Sequence, residues 1–335
     1  MKNILVTGGV GFIGSHTVVE LVAAGYNPVI VDNFSNSDRK VLDNLCAITG
    51  RSLNFYEQDF QDKVKLASLI DKEKIDGVIH FAAYKAVGES VSQPLKYYDN
   101  NIAGLVSLLE VLEEKGVSNL VFSSSCTVYG EPDNLPITES APVKPATSPY
   151  GASKQMAETI IRDVTLASPK LRSLALRYFN PIGAHPSGKI GELPIGVPAN
   201  LIPFVTQAAA GIRDALTVHG DDYDTPDGSC IRDYIHVVDL AKAHVKALEH
   251  IDLKPSGYYN FCNIGTGTGS SVLEVIHTFE KVNNVKVPYV VGPRRSGDIV
   301  QIYASVDYAR ELLGWKAEKT LSDALLDAWN WQQTL

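Results

Sequence analysis

The chain is poor in features that mark several protein classes. Only 4 of its 335 residues are cysteine (Cys46, Cys126, Cys230 and Cys262), and no two form a C-x-x-C pair. This argues against a disulfide scaffold or a thiolate zinc site and for free thiols in a reducing compartment. Positive charge is not in excess: 30 Lys and Arg face 38 Asp and Glu, a net charge of −8. Without a basic field, no nucleic-acid partner is expected. An anionic small molecule stays open, because a few placed arginines can hold one. No run of about 18 apolar residues is present to span a membrane, so no membrane association is expected. The opening "MKNILVTGG" enters a strand rather than a signal peptide, which makes cytoplasm the expected location. The Asn33-Phe34-Ser35 glycosylation acceptor would then go unused. The 8 histidines lack metal-ligand spacing; His236, His244 and His250 are expected to pack or be solvated, and no metal is expected.

What is present is a globular composition, 45% hydrophobic and 20% charged, with enough chain for one large or two ordinary domains. Near-continuous apolar runs at 3–7, 28–32, 53–57, 77–81, 119–124 and 173–178 predict strands covered on both faces. Helical patterns lie between them at 12–24, 37–48, 62–73, 95–115 and 150–167. This alternation predicts an α/β fold, a Rossmann-type doubly wound parallel sheet. From Pro181 to Pro198, 8 of 18 residues are Gly or Pro, which predicts a long ordered loop. Helical patterns resume at 199–212, 237–250, 270–281, 306–313 and 320–333, with short apolar runs at 216–218, 258–262 and 287–291. The expected organisation is a domain over 1–180 and a smaller, interleaved mixed α/β domain over 181–335. Part of 233–262 is expected to return to the first.

"VTGGVGFIGSH" follows the first predicted strand and opens a helix, with Gly8, Gly11 and Gly14 at three-residue spacing. Glycines there let backbone N–H groups approach a pyrophosphate at a helix N-terminus. Asp32 ends the second strand, 18 residues past Gly14. A carboxylate there accepts from ribose hydroxyls and repels a 2′-phosphate, which favours NAD over NADP. Two other glycine-rich stretches differ. "GAHPSGKI" (183–190) ends in Ile190, which has no hydroxyl for magnesium, and is not a P-loop. "NIGTGTGSS" (263–271) joins a strand to a helix and is expected to cap that helix.

"SPYGASKQMAE" (148–158) places Ser148 as an N-cap, Pro149 in the first turn, and Tyr150 and Lys154 four residues apart on one helix face. A tyrosine is a poor base at neutral pH, but a nearby ammonium, a helix N-terminus and an oxidised nicotinamide would each favour phenolate. Ser123, Ser124 and Ser125 end a parallel strand at its carboxyl edge, where ligands of this fold bind. By itself the Tyr-x-x-x-Lys pair is as readily an ordinary surface pair. The glycine loop and the serine strand end favour a proton-transfer site.

T-G-G-x-G-F-I-G, S-S-S-x-T-V-Y-G and Y-x-x-x-K together resemble the extended short-chain dehydrogenase/reductase family. "HFAAYKAVGESV" (80–91), "YYDNN" (97–101), "RYFNPIGAHPSG" (177–188), "RDYIHV" (232–237) and "PRRSGD" (293–298) are similar to motifs of its UDP-hexose 4-epimerases. The likeness runs from Lys2 to about Trp331. It implies that Gly8, Gly11, Phe12 and Ile13, with Gly14, line the pyrophosphate of NAD. Asp32, Asn33, Ser35, Asn36 and Ser37 would surround the adenosine ribose, and Asp59 and Phe60 the adenine. Phe81, Ala82, Ala83, Lys85, Asn100 and Ser123 would continue the cofactor site, with Tyr178 and Phe179 beside the nicotinamide. Ser125, Tyr150 and Lys154 would be catalytic. Asn180, Asn200, Leu201, Arg232, Arg295 and Asp298 would bind the nucleotide sugar, the two arginines as fork donors to its diphosphate.

The implied activity is C4 epimerisation of a UDP-hexose, UDP-galactose to UDP-glucose, through a transient 4-keto sugar. The implied assembly is a homodimer. Two positions depart from the family pattern. Cys126 stands where alanine is expected and reads as a small packed thiol. Ile302 stands where a bulky Tyr restricts the pocket and a smaller residue admits N-acetylhexosamines, which leaves that substrate class open. A 4,6-dehydratase would place Asp-Glu at positions 126 and 127, which are Cys and Thr here. A uronate 4-epimerase would want a cationic contact at C6 and stays open as the alternative. An NAD-sensing regulator would be expected to have lost Tyr150 or Lys154.

Overall fold

The computed structural model describes residues 1–295 and 298–335. Ser296 and Gly297, within the "PRRSGD" motif, lie outside the described residues.

The first half builds the layered sheet that its apolar runs require. Strands β1 (Asn3–Thr7), β2 (Asn27–Asp32), β3 (Asn54–Glu57), β4 (Gly77–His80), β5 (Asn119–Ser123) and β6 (Arg172–Tyr178) alternate with helices. The helices are α1 (Phe12–Ala23), α2 (Lys40–Thr49), α3 (Lys63–Glu73), α4 (Val87–Ser92), α5 (Pro94–Tyr98), α6 (Gly104–Lys115) and α7 (Pro149–Ala167). Strands β1, β4 and β5 are buried at nearly every position, as strands covered on both faces must be.

The helix expected at 95–115 is interrupted. A π-helical turn over Asp99–Ala103 separates α5 from α6, and it presents Asn100 and Asn101. Asn101 is committed sideways. Its amide accepts from the Tyr84 backbone N–H (3.0 Å) and donates to the Tyr84 carbonyl (3.0 Å) and to the Ser153 hydroxyl of α7 (3.2 Å). Period-based reading sees only continuing helical spacing there. Single π turns inside helices recur at functional sites.

The second half contains β7 (Asn180–Ile182), α8 (Leu201–Ala209), β8 (Leu216–His219), β9 (Ile231–Arg232), β10 (Tyr234–His236) and α9 (Val237–Asp252). After these come β11 (Tyr259–Ile264), β12 (Ser270–Ser271), α10 (Val272–Asn283), β13 (Tyr289–Gly292), β14 (Gln301–Ile302), α11 (Asp307–Leu313) and α12 (Leu321–Gln332). Strand β11 leaves this region and pairs in parallel with β6, completing a seven-stranded sheet of order β11-β6-β5-β4-β1-β2-β3. Helix α9 packs on α1, and Leu240, Ala243, Leu248 and Ile251 share one core with Val18 and Leu21. Ala309 and Leu313 of α11, and Trp315 after it, join the same core. The opposite face buries Leu66 and Leu69 of α3, Leu105, Leu108 and Leu112 of α6, and Ile161 of α7.

The remaining elements form a smaller lobe around Val205, Val218, Val275, Phe279 and Leu325. Its sheets are short: β7 with β10, β8 with β13, and β12-β9-β14. The doubly wound sheet therefore puts the ends of β1, β2, β4, β5 and β6 at one edge. The lobe from the second half stands beside that edge.

Candidate active site

The glycine loop is a close-packed turn. Gly8 has φ +70°, and a Cβ there would lie 2.9 Å from the backbone nitrogen of Ala82. A Cβ on Gly14 would lie 2.2 Å from the Gly8 carbonyl oxygen. Any side chain at these positions would fill the cradle or push the first turn of α1 off the sheet. Beside the cradle a cleft is lined by Gly8, Gly11, the Asp32–Asn33 pair, Ser35–Ser37, Phe60, Phe81–Ala83 and Asn100. Val31, Gln58 and Tyr84 also line it; Tyr84 lies inside the 80–91 motif without having been assigned a role, and Val31 and Gln58 belong to no motif. Asp32 is held by its own loop: Oδ2 accepts from Val10 N (3.1 Å), and Oδ1 from Phe34 N (2.9 Å) and Ser37 Oγ (2.8 Å). Glycine cradle, helix start, acidic strand end and cleft fit a dinucleotide.

Other expected cofactor residues lie beyond that cleft. Asp59 accepts from Asn33 Nδ2 (3.2 Å) and the Gln61 N–H (2.9 Å). Ile13 packs into the core behind the loop. Lys85 stands 6.0 Å over the Phe12 ring and pairs with Glu192 at 3.0 Å. Phe179 is buried among Cys126, Tyr129 and Ile302.

The start of α7 follows from its sequence. Ser148 Oγ accepts from Gly151 N (3.1 Å), and Pro149 occupies the first turn, where its missing N–H costs nothing. Tyr150 is then buried against the ends of β5 and β6. Ser125 follows β5, and its hydroxyl accepts from Thr127 N (3.2 Å) and Thr127 Oγ1 (3.0 Å). Ser123 shares a hydrogen bond with the Tyr178 hydroxyl (2.9 Å). Lys154 Nζ donates to the Ser123 carbonyl (2.7 Å), 4.7 Å over the Phe122 ring and 5.9 Å from the Tyr150 ring centroid. The structure thus gathers Ser123, Ser125, Tyr150, Lys154 and Tyr178 at one place.

Burial raises the Tyr150 pKa, Tyr178 adds to the rise, and a hydrogen bond with Ser125 opposes it. Burial also pulls Lys154 down to about 8, with Glu158 working the other way. In a dry site, desolvation of the phenolate outweighs one ammonium whose proton is itself loosely held. Cys126 is buried, and its thiol is pushed up to about 12, mainly by that burial, which suits a packing role.

Two further groups escaped the motif reading. Glu158, one turn past Lys154, accepts from Arg177 Nε (3.0 Å) and Nη2 (2.6 Å) and from Ser124 Oγ. Ser124 is thereby structural. Arg177 lies between the Tyr129 and Phe261 rings, 4.8 and 3.7 Å from their centroids. Asp233 is fully buried and pairs with no cation among the described residues. Its carboxylate accepts from Thr266 N (2.8 Å), Thr266 Oγ1 (2.7 Å), Gly267 N (3.2 Å) and Ala304 N (3.2 Å). This fixes the "NIGTGTGSS" loop, whose Ser271 then caps α10 in a reciprocal capping box with Glu274.

Of the expected nucleotide-sugar residues, Ile302, Arg232, Asp298 and Arg295 form a chain leading away from Ser125, while Asn180, Asn200 and Leu201 contact other groups. Neighbouring Cys126 shares a cluster with Ile302, which pairs with Arg232 in the β14–β9 register. Arg232 approaches Asp298 at 3.8 Å, and Asp298 accepts from Arg295 Nη2 at 2.6 Å. Asn180 hydrogen-bonds through its N–H to the Asp233 carbonyl (2.9 Å). Asn200 precedes α8 and donates to Glu192, while Leu201 packs on the second-lobe core. Among the described residues, no group of three or more His, Cys, Asp or Glu could hold a metal ion. No helix among them is long and apolar enough to cross a membrane.

A dinucleotide cradle at a doubly wound sheet edge, with a buried Ser–Tyr–Lys group beside it, fits a dinucleotide-dependent enzyme of the Rossmann type. The model of the NAD dependent epimerase/dehydratase family matches residues 4–265, and the chain belongs to that family. Within it, the chain groups with the UDP-glucose 4-epimerases. The Bacillus subtilis UDP-glucose 4-epimerase is 52% identical over 331 residues, covering 99% of this chain and 97% of the relative. The Stenotrophomonas maltophila enzyme, solved with NAD and a formylated UDP-arabinopyranose, superposes with a TM-score of 0.97 at 46% identity. That match covers 100% of this chain and 98% of the other. The Bifidobacterium longum enzyme, in complex with NAD+ and UDP, gives a TM-score of 0.95 at 48% identity, covering 99% and 98%.

Proposed function

We infer that this protein is an isomerase that inverts C4 of UDP-hexoses, converting UDP-galactose to UDP-glucose. The observation that carries the reading is the buried Ser125–Tyr150–Lys154 group placed beside a cradle that only glycine can line. NAD, when bound, accepts the C4 hydride and returns it, and its positive charge favours the Tyr150 phenolate.

On this reading Tyr150 carries the proton of the sugar 4-hydroxyl and gives it back. Ser125 orients that oxygen. Lys154, fixed to the Ser123 carbonyl, holds the cofactor ribose and supplies positive charge near the phenol. Gly8, Gly11, Phe12, Ile13 and Gly14 hold the pyrophosphate. Asp32, Asn33, Ser35, Asn36 and Ser37 hold the adenosine ribose, with Asp59 and Phe60 at the adenine. Phe81, Ala82, Ala83, Lys85, Asn100, Ser123, Tyr178 and Phe179 complete that site. Arg232, Arg295 and Asp298, with Asn180, Asn200 and Leu201, hold the UDP moiety. Binding strength must fall on UDP, because the 4-keto sugar has to rotate between the two transfers and would be hindered by tight contacts of its own.

The chemistry also supports a division of labour along the chain. Residues 1–180, with part of 233–262, serve as the NAD-binding domain, and the rest of 181–335 as the nucleotide-sugar domain. The exposed apolar side chains Val91, Leu95, Val106 and Met156 on α4–α7 support a homodimer through that face. The free cysteines support a reducing, cytoplasmic setting. Ile302 sets whether UDP-N-acetylhexosamines are accepted as well. The test is conversion of UDP-galactose to UDP-glucose by purified protein with no added reductant; failure in both directions overturns the reading.

A further inference from the structure

Glu192 had no place in any motif, yet it stands between the cofactor and sugar-nucleotide sides of the site. Its Oε1 atom accepts from Lys85 Nζ at 3.0 Å and also from Asn200 Nδ2. Lys85 follows β4, and the backbone of its neighbour Tyr84 is tied through Asn101 to α7. Asn200 opens α8 in the other lobe. One oxygen thus joins two segments 115 residues apart in the chain.

The backbone beneath that oxygen is immobilised from a third direction. The Glu192 carbonyl accepts from Trp331 Nε1 of α12 at 3.1 Å. Gly191 lies flush on the same indole, and a Cβ there would meet Trp331 at 2.4 Å. An antiparallel bridge pairs Gly191 with Ala184 and closes the loop. The carboxylate side chain is only 12% exposed, so its two hydrogen bonds are partly shielded from water. A group fixed at its base and bonded to both sides of a cleft transmits order between them. Whichever ligand first immobilises Lys85 or Asn200 also immobilises Glu192, and the second ligand then orders less on binding.

We propose that Glu192 is a positioning residue that couples the dinucleotide site to the nucleotide-sugar site, so that a uridine diphosphate retards loss of NAD. The proposal rests on the functional reading above, which places Lys85 at the cofactor and Asn200 at the substrate. Because coupling of equilibrium affinities is reciprocal, bound NAD raises the affinity for UDP by the factor by which UDP raises that for NAD.

The experiment takes holoenzyme as purified and follows loss of bound NAD to an enzymatic scavenger, with and without saturating UDP. Wild-type protein is expected to lose NAD about five-fold or more slowly with UDP, the lower end of common coupling strengths. In Glu192→Ala the ratio falls toward one. In Glu192→Gln, which keeps the shape and removes the charge, it lies between. Melting temperature is recorded for each, since a purely structural residue would change stability and leave the ratio intact. A wild-type ratio of one, or an unchanged ratio in Glu192→Ala, overturns the coupling role. If Glu192→Ala does not fold, an unchanged ratio in Glu192→Gln does the same. Wild-type protein that binds neither NAD nor UDP overturns the functional reading itself.

Discussion

Replacing Glu158 with Gln tests the buried polar scaffold behind α7. Glu158 and Arg177 have side chains only 8% and 5% exposed, joined by hydrogen bonds of 3.0, 3.2 and 2.6 Å. Among the described residues Arg177 Nη1 has no hydrogen-bond partner, and Glu158 is the carboxylate that pairs with the guanidinium. Glu158→Gln leaves that cation buried without its counter-charge, a change that costs about 3–5 kcal/mol. With an unfolding entropy near 2.1 cal/mol/K per residue, a 335-residue chain gives about 0.7 kcal/mol/K. The expected loss is therefore about 4–7 °C in Tm, measured by circular dichroism at fixed NAD concentration. Replacing both partners, as Glu158→Leu with Arg177→Met, should recover most of the loss, because an apolar pair of similar volume is no worse than the ion pair. A second effect reaches the chemistry. Glu158 raises the Lys154 pKa against burial, so Glu158→Gln lowers it further and moves the alkaline limb of the activity profile to lower pH. The reasoning fails if Glu158→Gln melts within 1 °C of wild type, or if the double replacement is no more stable than the single one.

Other perturbations have equally definite outcomes. Tyr150→Phe should keep bound NAD, seen by absorbance after denaturation, while kcat falls about 10²–10⁴-fold, the usual worth of a positioned acid–base group; near-normal turnover would remove Tyr150 from that role. Ile302→Tyr should depress kcat/KM for UDP-N-acetylglucosamine more than for UDP-galactose, and equal losses would place Ile302 outside the sugar pocket. Acid should unfold the protein early. Burial lowers His16 and His80 to about 3 and His244 to about 4, far below the ordinary value of about 6.5. Between those values the unfolded chain binds up to three more protons than the native one, so stability falls as pH drops below about 6.5. The slope is at most roughly 4 kcal/mol per pH unit. Urea midpoints that stay flat from pH 7 to 5 would contradict this. Gly14→Ala should abolish NAD binding or folding, since its Cβ would lie 2.2 Å from the Gly8 carbonyl oxygen; a holoenzyme with normal NAD content would refute the cradle geometry.

The parts legible in sequence are those where one local rule dominates. Strands β1, β4, β5 and β6 showed as apolar runs because both faces are covered. The start of α7 showed because Ser148 and Pro149 have fixed roles at a helix N-terminus. The glycine loop showed because no other residue fits against Ala82. What did not show depends on contacts between distant segments. The π turn at Asp99–Ala103 keeps helical composition, and its cause lies in the Tyr84 backbone and Ser153. Glu158 and Asp233 sit inside quoted motifs, yet a motif does not say that one faces Arg177 or that the other faces residues 266, 267 and 304. Strands β9, β12 and β14 have two residues each, too short for any periodicity. The burial of Tyr150 did not show either, because a row of letters shows nearby charge but not how much water is excluded.

The return of α9, β11 and α11 to the main sheet has a consequence for how such enzymes diversify. No single cut of the chain separates the lobe carrying Arg232 and Asn200 from the sheet carrying Asp32 and Tyr150, because the polypeptide passes between them repeatedly. A new sugar pocket cannot be acquired here as a cassette through one recombination junction. Specificity has to drift in place, residue by residue, in short strands such as β9 and β14 and in the 183–200 segment, while the stitched core keeps both halves in register.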